Sequence, residues 1–322
     1  MKNLKLKLLG ALLASACLPA TANAVPLKEI FGLGPGDGNI YRIDLTGPTV
    51  TNLGYGGVSF PTNLAMSPDR TLYYMNPFDS GGHALYKATL NATNTALVGA
   101  PTLVKNLPTS GFGIIDGMTV GPDGNLYMTG YGKSEIYQYD VTNDVFSTTV
   151  HLVPPASGGP AGEFRSDLAF DPITGNLIGL GIEPGSTDRT LFEIPFALAL
   201  TAADDAYVWD YFGSAGSAWE TKKLDTGTEL GDNPDGIAFD PTNGDLYMSG
   251  DGTGVYAYGR TSAVRGALIA GTETCGPFCG VGYDLAFQTL EVPIGQTPEP
   301  GTLWLALLGM AGMAASLRRR LA

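Results

Sequence analysis

The stretch Asp116-Gly-Met-Thr-Val-Gly-Pro122-Asp-Gly-Asn-Leu-Tyr127 decides the fold. An acidic residue opens a short apolar run, Pro122 to Asn125 carry turn chemistry, and Leu126-Tyr127 begin a second run. Proline pre-sets φ and Gly or Asn accepts positive φ, which is how a hairpin closes. The unit occurs earlier as Asn63-Leu-Ala-Met-Ser-Pro68-Asp-Arg-Thr-Leu-Tyr73. It returns as Asp167-Leu-Ala-Phe-Asp-Pro172-Ile-Thr-Gly-Asn-Leu177 and as Asp235-Gly-Ile-Ala-Phe-Asp-Pro241-Thr-Asn-Gly-Asp-Leu-Tyr247. A truncated copy, Asp284-Leu-Ala-Phe287, comes last. The five opening residues are 53, 51, 68 and 49 positions apart. Self-similarity on this scale marks an array of supersecondary units.

A third strand follows each complete hairpin, at Leu85-Tyr86, Ile136-Tyr137, Leu191-Phe192 and Val255-Tyr256. Another, Ile40 to Asp44, stands near the N-terminus with no opening strand before it. The two series are therefore out of phase by one unit. The orphan strand at Asp284 can pair with Glu29 to Gly34 and Ile40 to Leu45, and a ring closed in this way removes the open edges of a β-propeller. The pattern predicts an all-β, five-bladed propeller over residues 25–296, closed in its N-terminal blade by a C-terminal strand. The 68-residue interval holds Ala206 to Phe212, a stretch that leaves six blades as the alternative.

Composition agrees. Charged residues are 15% of the 322, against 45 Gly, 22 Pro, 15 Tyr and 13 Phe. A coiled coil and a disordered acidic tail are both excluded by that balance. The net charge is −13. Setting aside the two terminal segments, which hold Lys2, Lys5, Lys7, Glu299 and Arg318 to Arg320, the body has 12 basic and 30 acidic residues, a net of −18. Nucleic acid is excluded as a partner, because phosphate contacts need clustered Lys and Arg. Such a body can attract divalent cations, or its acidity simply keeps an exported protein soluble.

The ends read as addresses. Lys2, Lys5 and Lys7 precede an apolar stretch from Leu8 to Ala16, and Ala22-Asn23-Ala24 fits signal-peptide cleavage before Val25. A lipoprotein box at Cys17 is the weaker alternative, since Ala14 stands where Leu is usual. At the other end, Pro298-Glu299-Pro300 precedes an apolar run from Thr302 to Leu317 and then Arg318-Arg319-Arg320. Those 16 residues would make a transmembrane helix of about 24 Å, held by the arginines on the cytoplasmic side. A plain tail anchor is the competing expectation.

The last 26 residues, 297–322, resemble a PEP-CTERM sorting signal. The resemblance implies a protein of Gram-negative bacteria exported by way of signal peptidase, cut by an exosortase near Pro298-Glu299-Pro300, and then placed on the outer surface or released. It also implies a setting of extracellular polysaccharide and biofilm. The repeats resemble NHL-type and gluconolactonase-type propellers, in which Asp-Gly-apolar and Asp-Gly-Asn-Leu-Tyr recur. That second resemblance would imply a metal held by Glu, Asn and Asp, whereas no Glu stands at an opening position here.

Candidate site residues follow from the ring. Asn63, Asp116, Asp167, Asp235 and Asp284 converge on one mouth, and such oxygen ligands suit Ca²⁺ or Mg²⁺ as cofactor. Each Asp can instead hydrogen-bond backbone N–H groups and lock neighbouring blades together. Tyr55, Phe60, Phe112, Phe164 and Tyr283 at that mouth can stack on sugar rings or pack between blades, and Arg165 can recognise a ligand or pair with a carboxylate. Cys275 and Cys279, in an oxidising compartment, are expected to form a local disulfide. No nucleophile elbow, zinc helix or P-loop occurs, and His83 and His151 lie in different repeats. The reading is a non-enzymatic binding module for glycan or protein. A metal-dependent lactonase-type hydrolase and a structural matrix component are the alternatives.

Overall fold

A computed structural model describes residues 29–107, 113–151, 163–182, 189–196, 234–250, 254–258, 265–269, 272 and 285–288, apart from positions 35, 48, 60, 80 and 81. The described chain is all-β and propeller-like, with five antiparallel sheets. One sheet runs in the order β19 (Leu285–Phe287), β1 (Glu29–Leu33), β2 (Asn39–Asp44), β3 (Thr49–Tyr55). The next comprises β4 (Thr62–Met66), β5 (Thr71–Asp79), β6 (Gly82–Thr89) and β7 (Thr102–Leu107). A third comprises β8 (Ile115–Val120), β9 (Leu126–Gly130), β10 (Glu135–Asp140) and β11 (Val145–His151). The fourth has three described strands, β12 (Glu163–Asp171), β13 (Asn176–Ile182) and β14 (Arg189–Pro195). The fifth comprises β15 (Pro234–Phe239), β16 (Leu246–Gly250), β17 (Gly254–Tyr258) and β18 (Arg265–Leu268).

The expected closure is present. Residues Leu285, Ala286 and Phe287 pair antiparallel with Gly32, Phe31 and Ile30, so the last described strand completes the first sheet. The innermost strands then touch in a circuit, β4 on β8, β8 on β12, β12 on β15, β15 on β19 and β19 on β4. Gln288 fastens the closure. Its Nε2 donates to Pro68 O at 2.7 Å, and Asn94 Nδ2 donates to Gln288 Oε1 at 3.5 Å and to Glu29 Oε2 at 3.2 Å. Glu29 Oε1 in turn accepts Arg42 Nη2 at 2.6 Å, which ties β1 to β2.

A size rule builds the core. The innermost strands read Leu64-Ala65-Met66, Met118-Thr119-Val120, Leu168-Ala169-Phe170, Ile237-Ala238-Phe239 and Leu285-Ala286-Phe287, large at both flanks and small between. Side chains alternate faces along a strand, so the flanks point to one neighbouring sheet and the middle residue to the other. Ala65 shares a packed cluster with Met118 and Val120, and Ala169 shares one with Ile237 and Phe239. Ala238 lies with Leu285 and Phe287, and Ala286 with Leu64 and Met66. Four of the five sheets thus offer a small residue to the large pair of the next. Close packing of converging inner edges requires that alternation.

The hairpin turns follow the chemistry expected of them. Gly124, Gly175 and Gly244 have φ of 80°, 73° and 73°. Arg70 takes the equivalent place in the Pro68-Asp-Arg-Thr turn with φ 67°, where a non-glycine residue is strained. Asp123 caps its turn by accepting Asn125 N at 3.2 Å and the Tyr127 hydroxyl at 2.9 Å.

Among the described residues no helix is long and apolar enough to cross a membrane. The signal peptide expected at residues 1–24, the apolar run 302–317, Pro298, Glu299, Pro300, Arg318, Arg319, Arg320, the expected Cys275–Cys279 disulfide and Ala206 to Phe212 lie outside the described residues.

Candidate functional site

Four of the opening residues sit inside the innermost strands, each at an interruption of the ladder, rather than in the loops before them. Thr62 pairs with Met75 and Leu64 with Tyr74, so Asn63 is skipped. Ile115 pairs with Gly130 and Gly117 with Thr129, skipping Asp116. Pro234 pairs with Gly250 and Gly236 with Ser249, skipping Asp235. In β12 the register jumps between Phe164 and Leu168, around Asp167. A bulge leaves one residue unpaired and re-aims its side chain. Four repeats use that device at the same point.

Asp167 shows what the re-aimed group does. It is fully buried. Its Oδ1 accepts Leu168 N at 2.7 Å and Met118 N at 3.3 Å, and its Oδ2 accepts Ile237 N at 2.8 Å. One carboxylate therefore joins β8, β12 and β15. Backbone N–H groups released by the bulges need acceptors, and an ionised oxygen is the strongest one available. Asn63 makes a similar tie with the opposite polarity, Nδ2 donating to Ile115 O of β8 at 2.7 Å. Thr129 Oγ1 adds a bond to Ser166 O at 3.3 Å.

Gly117 makes the approach possible. A Cβ there would lie 2.7 Å from Asp167 Cα and 2.6 Å from Thr129 Oγ1, far inside van der Waals contact. The Asp-Gly pair of the repeat is a bulge followed by the gap into which the next strand fits. That role needs Gly117 and Asp167, 50 positions apart, to meet, which explains why one repeat alone does not disclose it.

Among the described residues no three His, Cys, Asp or Glu side chains gather around a point where a metal could sit. Asp235 and Phe164 and Arg165 are placed by their strands alone, on β15 and β12. Phe60, Phe112, Tyr283 and Asp284 lie outside the described residues.

Tyr55 ends β3 just before the chain turns into β4, so it stands on the same end of the sheets as Asn63, and it is 51% exposed. Tyr131, not singled out by the repeat pattern, follows β9 on that end and is 47% exposed beside exposed Ile114. Its backbone N donates to Ile114 O at 2.7 Å. The one available signal was an aromatic directly after Gly130, where a second strand stops. His83 at the start of β6 is buried, and its Nε2 donates to Gly113 O at 2.6 Å, a link between the second and third sheets.

A cavity of about 130 Å³ lies on the axis. It is lined by the large-small-large triplets of all five innermost strands, by Pro122, Pro172 and Pro241 of the turns, and by Gln288. These turn residues follow the inner strands, so the cavity lies toward the end opposite the bulges.

Comparison with known proteins adds two matches. Residues 24–154 match the SMP-30/Gluconolactonase/LRE-like region, and residues 296–320 match the PEP-CTERM protein-sorting motif. No curated protein matches the chain. Among solved structures, a protein of unknown function from Bacteroides thetaiotaomicron is 15% identical with a TM-score of 0.47, over 83% of this chain and 63% of that one. The chain thus spans less than two thirds of that structure. The PQQ-bound aldose sugar dehydrogenase of Streptomyces coelicolor is 19% identical with a TM-score of 0.42, over 75% and 78%. Virginiamycin B lyase from Staphylococcus aureus is 13% identical with a TM-score of 0.37, over 75% and 64%.

The C-terminus therefore carries the sorting motif that marks export in Gram-negative bacteria and processing at the membrane by exosortase. An SMP-30/gluconolactonase-like propeller region precedes it.

Proposed function

We propose that the chain is a five-bladed propeller displayed on the outer surface or in the matrix, where it binds a glycan or a protein without transforming it. The observation that carries the non-enzymatic part is the commitment of Asp167, whose two oxygens accept three backbone N–H groups. A carboxylate held so is a structural acceptor and a poor base or metal ligand. Binding is assigned to the end bearing Asn63, where Tyr55 and Tyr131 expose aromatic faces of the kind that stack on sugar rings. Phe60, Phe112, Phe164, Arg165 and Tyr283 belong to the same proposed surface by their place in the repeats. The circuit of five innermost strands supports five blades. The sorting motif supports an extracellular polysaccharide or a surface protein as the partner.

The full-length chain, purified and tested on an array of extracellular glycans and against surface-protein extracts of its host, should retain a ligand, and Tyr131→Ala should weaken that binding about tenfold. Absence of any ligand would overturn the reading.

The alternative reading, tied to the match of residues 24–154 to the gluconolactonase-like region, is a metal-dependent lactonase holding Ca²⁺ or Mg²⁺ at Asn63, Asp116, Asp167, Asp235 and Asp284. Lactone turnover abolished by chelator would establish it in place of the binding module.

A further inference from the structure

We propose that the axial cavity is a second binding site, for a compact hydrocarbon group the size of a benzene ring, entered from the end opposite the Asn63 and Asp167 ties. Its walls dictate that chemistry. Met66, Val120, Phe170, Phe239 and Phe287 occupy the third position of each large-small-large triplet, and the three prolines of the turns form the rim. Ala65, Ala169, Ala238 and Ala286 take little of the axial space, so the void is a product of the size rule that packs the sheets. An apolar cavity of ~150 Å³ stays dry and accepts benzene or xenon, and this one is about 130 Å³.

Two polar side chains, Thr119 and Gln288, stand in an otherwise apolar lining, and Thr119 offers a guest a single hydroxyl. Gln288 Nε2 is bonded to Pro68 O and its Oε1 faces Asn94 Nδ2, so its amide is already engaged in closing the ring. A sugar entering here would leave hydroxyls without partners, which burial penalises heavily. The cavity therefore selects against the glycans assigned to the other mouth, and the two sites take different chemistry at opposite ends of one axis.

Methionine methyl NMR on the full-length chain tests it directly. Met66 and Met118 line the cavity, whereas Met75, Met128 and Met248 are buried within the sheets and do not line it. Benzene should move the Met66 and Met118 methyl signals saturably and leave the other three in place, and glucose should move none. Val120→Phe should fill the void and abolish the shift while Met248 keeps its native position. If that variant does not fold, Phe239→Trp serves the same purpose. Benzene shifts that are absent, spread over all five methyls, or retained in a folded cavity-filling variant would overturn the proposal.

Discussion

The carboxylate of Asp167 accepts the backbone N–H of Ile237 at 2.8 Å across 70 residues of sequence, and through its other oxygen that of Met118 at 3.3 Å. Three sheets meet on one side chain. Asp167→Ala would strand three buried donors, each worth about 1–3 kcal/mol when unsatisfied. The expected loss is about 3 kcal/mol or more, read from urea denaturation. Asp167→Asn should cost less, since one amide oxygen can still accept. If the ring carboxylates are structural, millimolar Ca²⁺ and chelator should leave the melting temperature of the wild type unchanged.

Gly117→Ala would place a methyl 2.7 Å from the Asp167 Cα. Both atoms belong to packed strands, and such overpacking typically costs about 1–3 kcal/mol. The change should lower the urea midpoint without altering the m-value, and the double variant with Asp167→Ala should be non-additive because the two residues share one contact.

Arg70 holds φ 67° where the third and fourth sheets' turns have Gly124 and Gly175. A left-handed residue other than glycine costs about 1–2 kcal/mol, offset in part by the larger entropy of an unfolded glycine. Arg70→Gly is therefore expected to stabilise the chain by about 0.5–1 kcal/mol, seen as a rise in melting temperature.

Gln288→Ala would remove the bond to Pro68 O and free the end of β19. One lost bond at a part-buried site is worth about 0.5–1.5 kcal/mol. Amide exchange should quicken at Ile30, Phe31 and Gly32, which pair with β19, and stay unchanged in β9 and β10. Equal acceleration everywhere would show that closure is not local to this contact.

Asp144 and Tyr139 set opposite pH limits on one contact. Hydrogen bonds from Lys105 Nζ at 2.6 Å and then from the Tyr139 hydroxyl at 2.8 Å hold the Asp144 carboxyl below its ordinary value of 3.8. A depressed folded value gives stability that is present above the unfolded value and lost as acid protonates the folded carboxylate. Burial first, and then the hydrogen bond to Asp144, push Tyr139 up to about 12. A raised folded value gives stability that is full below pH 10 and lost as pH rises through about 12. Melting temperature against pH should fall on both sides. Lys105→Met should flatten the acid limb and Tyr139→Phe the alkaline one. Unchanged limbs in both variants would remove the assignment.

What the sequence determined by itself was local or periodic. Hairpins at Pro68, Pro122, Pro172 and Pro241 were legible because a turn's φ values are set by the four residues in it. The closing strand at Leu285 was legible from counting, since one unit lacked a first strand and another lacked its partners. The sorting motif at residues 296–320 needed no fold at all. The outer strands β3, β7, β11 and β18 were not read, because their exposed faces weaken the apolar alternation that announces a strand, as in Thr49–Tyr55 with one buried residue in seven. The tertiary structure alone decided how Asp167 is used. In a lone repeat Asp167 could equally hold a metal or cap a turn, and its partners come from strands 49 and 70 residues away. The same holds for Gly117, Gln288 and the axial cavity, each of which exists only where separate blades converge and compete for the same space.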